Sequence, residues 1–313
     1  MPASNRRQFL VIGATVFTGI AGGLAWNAAR GDSPALSGGR PPAPTPAPAS
    51  TATSAIVEAR SRMTGLLALA EAAGADPALL GAHRAHLTAL VSGSPGTRPS
   101  TSPGSPLPTP GSAIDVGDDP ARELIDAERS AAEALVETTP GATGTDALVC
   151  GSLAAFCTAA AEVVEDGGEI GMPGTGALST TDDVTAMQQV VAQCHAAVFA
   201  YQRLLGLVPR SDDEPILAAL ERYRSLRDEL SGELVDRGAA APAAEAGYLV
   251  PDEPQETDRV IESGLLPYLG QWLQATNTES DRDRAATMLS ESTLRAVRAG
   301  ATLPAWPGWP DPA

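Results

Sequence analysis

Thr180–Gly238 reads TTDDVTAMQQVVAQCHAAVFAYQRLLGLVPRSDDEPILAALERYRSLRDELSGELVDRG, and this stretch decides the fold. Val184, Met187, Val191, Cys194, Val198, Tyr201, Leu205 and Val208 recur at alternating spacings of three and four, which lays one apolar seam along a helix. Thr180 with Asp183 predicts the helix start, and Ser211 with Glu214 predicts a capping box for the next helix, with Pro215 in its first turn. Ile216, Leu220, Tyr223, Arg227, Leu230 and Leu234 continue as a second seam until Gly238 ends it. Only a short turn joins the two helices.

Outward from this hairpin, Gly238–Glu253 carries Pro242, Gly247 and Pro251 and reads as non-helical. Third and fourth helices follow, over about Pro254–Ala275 and Thr278–Ala299. The extended passage between the hairpins reaches roughly 50 Å, more than the roughly 36 Å length of such a helix, so the chain can cross from one end of a bundle to the other. Short turn, long crossover, short turn is the connectivity of ferritin-like bundles. The expected fold class is therefore all-α, with a ferritin-like four-helix bundle at 180–300 and a tail at 301–313 rich in Trp and Pro.

Ahead of it, 54–166 reads as a second helical, bundle-like region. Its helices fall near 54–73, 77–92, 120–137 and 146–165, and a Pro/Ser-rich insertion at 93–111 sits where a crossover would be. The rhythm of the second half is repeated, without recognisable residue identity between the halves. Two bundles of related plan, and early helices packed onto the later bundle, both satisfy the sequence.

The N-terminus reads as an address. Ser4-Asn5-Arg6-Arg7-Gln8-Phe9-Leu10 resembles the twin-arginine export consensus, with Arg6, Arg7, Phe9 and Leu10 as its signal residues. Phe9–Trp26 is uncharged and diluted by glycines, as that route favours, and no clean small-x-small cleavage site follows it. Residues 1–30 are thus expected to be a signal that either stays as a membrane anchor, with the globular part outside, or is cleaved to release that part into the cell envelope. Residues 31–53, with five prolines between Pro41 and Pro48, read as a disordered tether.

The chain of 313 residues is 43% hydrophobic but only 4% aromatic, a content of Ala, Leu and Val that suits helical bundles. A net charge of -17 excludes the basic footprint that nucleic acid needs. The expected partners are the membrane, through the N-terminal segment, and another protein of the cell envelope.

Ferritin-like metal enzymes use Glu-x-x-His pairs, because i and i+3 side chains share a helix face. The three histidines, His83, His86 and His195, are preceded at that spacing by Leu80, His83 and Ala192, so the motif is absent. His83 and His86 could grip one zinc or copper ion, yet no acidic residue adjoins them in sequence, and they read as half-exposed imidazoles on a helix surface. His195 flanks a seam and reads as structural. Cys150 and Cys157 lie too far apart along one helix to bridge. Arg227 falls inside a seam and needs a partner, for which Glu262 and Asp228 are the candidates, unless its head reaches the bundle edge. His195, Arg227, Asp228 and Glu262 are thus the polar core or binding candidates. No catalytic residue, metal or cofactor is expected.

His195–Tyr201 (HAAVFAY), Arg224–Asp228 (RSLRD), Ala246–Pro251 (AGYLVP) and Trp306–Gly308 (WPG) resemble, in order and spacing, a ferritin-like domain family of unknown function from exported actinobacterial proteins. The resemblance covers roughly Thr180 to Gly308 and implies a fold rather than a chemistry. Where the family carries Glu immediately before the His, this chain has Cys194. The expectation is an exported helical module that binds or scaffolds, with a metal-binding or small-molecule-binding protein of non-standard site as the alternative.

Overall fold

Each hairpin begins where a side chain or a proline can serve the first helical turn. The structure, a computed structural model, describes residues 53–92, 118–171, 175–251 and 253–310. Among them are eight α-helices and no strand: α1 Ser54–Ala72, α2 Pro77–Ser92, α3 Pro120–Thr138, α4 Thr145–Asp166, α5 Asp183–Leu205, α6 Glu214–Asp236, α7 Pro254–Ala275 and α8 Glu279–Arg298. Residues 1–52 lie outside the described residues, so the signal and nearly all of the tether do too, as does the insertion at 93–111.

Thr53, Asp119, Asp182 and Thr278 accept a backbone N–H in the first turns of α1, α3, α5 and α8. Two expected caps differ. The cap of α5 is Asp182, bonded to the Thr185 amide, rather than Thr180. No capping box forms on α6, because Arg210–Asp212 is taken up in a 3₁₀ turn and Asp213 makes no side-chain cap bond.

The seams hold. Met187, Val191, Cys194, Val198 and Tyr201 of α5, and Ile216, Leu220, Tyr223, Leu230 and Leu234 of α6, are all buried. α5 packs on α6 and α7, and α7 packs on α8. α6 and α8 meet through side chains: Arg284 pairs with Glu233, and Arg237 at the end of α6 reaches Asp281 at 2.6 Å and Asp183 at 2.7 Å. That cluster brings the C-terminus of α6 beside the N-termini of α5 and α8. The connection to α7 is pinned along α5, by Gln188 to the Ala240 carbonyl (2.8 Å), His195 to the Pro242 carbonyl (3.1 Å) and Arg203 to the Val250 carbonyl (2.8 Å). It therefore travels the length of α5, and α7 starts at the far end.

In the first half α1 packs on α2, α3 and α4, and α3 packs on α4. α4 also packs against α7 and α8, so one apolar core runs through both halves. Over its most apolar 18 residues α4 has a mean hydropathy of 1.9, enough by length and composition to cross a membrane, and here it is the interior helix. The tail closes over this junction. Leu303 forms a parallel bridge with Ile170, and Leu303, Ala305, Trp306 and Trp309 are buried. Gly308 adopts φ +86° against Gly270, where an added Cβ would lie 1.9 Å from the Gly308 carbonyl oxygen.

Candidate functional site

Two groups of buried polar side chains stand in the cores, one in each half. In the C-terminal half Glu262 of α7 is 2% exposed. Its Oε1 accepts from Arg222 Nη2 of α6 at 2.6 Å and lies 3.2 Å from Arg295 Nε of α8. Burial alone would lower the Arg295 pKa, but the facing Glu262 carboxylate raises it instead. Tyr201 and Tyr223 stack beside this group at 5.8 Å, and Arg222 lies over the Tyr223 ring. Burial first, then the Glu262 charge, pushes both phenols up in pKa. Tyr201 donates to Asp258, whose own carboxyl is raised by burial.

The sequence candidates divide. Glu262 belongs to this group, but Arg227 does not pair with it. Arg227 turns instead to the adjacent Asp228, with Nη2 to Oδ1 at 2.7 Å, at the partly exposed edge. His195 is half-buried, bonds the crossover at Pro242, and has its pKa lowered chiefly by burial. Those three are positional and structural contacts. Arg222 and Arg295, which share Glu262, were the missing partners. Arg295 lies on α8, a helix whose register against α7 is set only by folding.

The N-terminal half corrects a second expectation. His83 and His86 are not half-exposed: both are fully buried, and an acidic residue does adjoin them. Glu128 of α3, also fully buried, meets His83 Nε2 at 2.7 Å. The Cys157 thiol of α4 donates to the same carboxylate, and burial first, then Glu128, raises its pKa well above the usual thiol value. His86 Nε2 donates to the Ala305 carbonyl at 2.7 Å, and its ring packs edge-on against Phe156 and Trp306. Burial and the neighbouring His83 lower the His86 pKa to about 3, so it is neutral at physiological pH. The signal was in the sequence: Leu79, His83, His86, Leu87 and Leu90 share one face of α2, which makes both histidines core positions.

His83 Nδ1, His86 Nδ1 and Glu128 Oε2 have no protein partner in the first group, nor do Glu262 Oε2 and the Tyr223 hydroxyl in the second. Among the described residues no three His, Cys, Asp or Glu side chains converge as a metal-binding set. The cysteines are free and buried, and burial pushes the Cys150 and Cys194 thiols up to about 12. A separate cleft of about 340 Å³ opens between the α1–α2 turn and the ends of α3 and α4. Its lining side chains are those of Ala, Leu, Val and Ile, with backbone exposed at the glycines and Asp76 as the one ionisable side chain.

Residues 186–311 match a family described as a domain of unknown function, DUF4439. That stretch holds Glu262, Arg222, Arg295 and the tail. A solved structure, the crystal structure of a conserved hypothetical protein, rv2844, from Mycobacterium tuberculosis, is similar at 28% identity, covering 37% of this chain and 87% of that chain with a TM-score of 0.35. No curated protein matches the chain.

Proposed function

We propose that this protein is an exported, non-catalytic helical module that binds or scaffolds another protein of the cell envelope, and that its C-terminal helices form a ferritin-like bundle. The observation that carries this reading is Glu262, a buried carboxylate of that half held by the guanidinium groups of Arg222 and Arg295. Two positive charges flank that carboxylate, and a metal cation brought to it would face their repulsion. The crossover along α5 and the short turns on either side fit ferritin-like connectivity. The twin-arginine motif and the uncharged Phe9–Trp26 supply the export and anchoring parts of the proposal.

Metal analysis of protein purified after native export tests it. Substoichiometric iron, manganese and zinc are expected, and one equivalent of any of them would overturn the reading. Fractionation tests the anchor: resistance to high salt with release by detergent is expected, and a soluble form beginning near Ala29 would overturn it.

A second reading, a metal-binding or small-molecule-binding protein with a non-standard site, is favoured by one observation. His83, His86 and Glu128 are fully buried and leave polar atoms without protein partners. A stoichiometric metal lost on Glu128→Gln would establish that reading in place of the first.

A further inference from the structure

We propose that the chain is one four-helix unit present twice, α1–α4 and α5–α8, with the two units paired face to face about an approximate two-fold axis running along α4 and α8. The two units share three packings, first helix on second, third on fourth, and first on third, while α1 on α4 in the first unit has no counterpart of that extent in the second. The second hairpins superpose in sequence without a gap. Displacement by 134 residues carries the start of α3 at Pro120 to the start of α7 at Pro254, and the start of α4 at Thr145 to the start of α8 at Glu279. The same displacement carries buried Glu128 to buried Glu262 and buried Leu135 to buried Leu269. For the first helices the displacement is 131, and all six buried residues of α1, from Ala55 to Ala70, fall on buried residues of α5, from Ala186 to Tyr201. The two polar groups are then one station built twice: a carboxylate on the third helix, met by a cationic or titratable side chain from the second, His83 in one unit and Arg222 in the other.

The contacts between units have the reciprocity of a two-fold interface, in which each patch meets its own counterpart. α4 packs on α8, which are equivalent helices, and α4 on α7 is mirrored by α3 on α8. Arg282 of α8 donates to the Pro140 carbonyl after α3, while Gln274 at the end of α7 reaches Thr145 of α4. Gly151 of α4 faces Ala286 of α8, one residue from its own counterpart at 285. The segments that follow the two helices pair in parallel at Ile170 and Leu303, as an axis along the helices requires. The α4 face is thus a unit–unit interface whose partner is a second copy of the same unit, supplied within the chain.

Four exposed positions test this in the full-length protein, because spin labels there leave the core untouched. Glu71 and Ser130 lie in the first unit, and their counterparts, Gln202 and Gly264, lie in the second. Cysteine substitutions are labelled in pairs and the distances measured by pulsed dipolar spectroscopy. The 71–130 and 202–264 distances should be equal, and so should the 71–264 and 202–130 distances, within the widths of the distributions. Unequal distances within the units would show that the halves are not one unit repeated. Equal distances within the units but unequal ones between them would overturn the two-fold pairing.

Discussion

His86 binds a proton near pH 6.5 in an unfolded chain but only near about 3 in the folded core. Between those values the unfolded state holds more protons, so folding stability must rise with pH and fall as the solution is acidified. Full stabilisation is present above 6.5, and the loss ends below about 3. Each unit of pKa difference corresponds to about 1.4 kcal/mol, so moving from pH 6.5 to 4.5 should remove roughly 2 to 3 kcal/mol through this residue alone. Other groups titrate over the same range, and a variant isolates the contribution. His86→Gln keeps a neutral N–H donor for the Ala305 carbonyl and cannot titrate. Urea unfolding followed by circular dichroism at several pH values should show wild type losing roughly 2 to 3 kcal/mol relative to the variant over that interval. Parallel pH profiles for the two proteins would refute the reasoning, because they would mean that His86 reaches solvent in the folded state.

Gly270→Ala should destabilise by about 3 kcal/mol, since the new Cβ meets the Gly308 backbone rather than a yielding side chain, and a chemical melt reads it directly. Val198→Asp should cost several kcal/mol by placing a carboxylate in the α5 seam, while Gln202→Asp on the exposed face should cost about 0.5 kcal/mol or less; equal tolerance in thermal melts would put the seam on the wrong face. Replacing Arg6 and Arg7 by Lys should strand the protein in the cytoplasm despite the preserved charge, and normal export of the double variant in a fractionation assay would remove the twin-arginine reading.

Helices were the legible part of this sequence, because a seam such as Met187 to Tyr201 is a local periodicity that survives without knowledge of its neighbours. The crossover was legible for the same reason: Pro242, Gly247 and Pro251 interrupt helix locally. Cap residues were less so, since Asp182 and Thr180 both offer an acceptor and only the path of the chain chooses between them. The polar groups failed in a third way. Glu128 and His83 are separated by 45 residues and by the Pro/Ser-rich insertion, so neither announces the other. What was available was the face of α2, where two histidines occupy positions that Leu79 and Leu90 mark as interior. Glu262 was found as a candidate and Asp228 as the other possible partner of Arg227, but Arg222 was not singled out, because Arg222 and Arg227 both lie on α6 and their rotation against α7 is a tertiary outcome.

On the export reading proposed above, the burial of α4 bears on the route across the membrane. A channel that passes unfolded chain sideways to lipid sorts segments by hydrophobicity and length, and Thr145–Asp166 meets both criteria. Threaded that way, the segment would tend to be released into the bilayer, splitting α1–α3 from everything that follows. A folded chain presents no such segment, because α7, α8 and the Trp306 tail already cover it. On that reading, a translocase that accepts folded cargo would carry this helix across already covered, so that folding before crossing keeps the segment away from lipid.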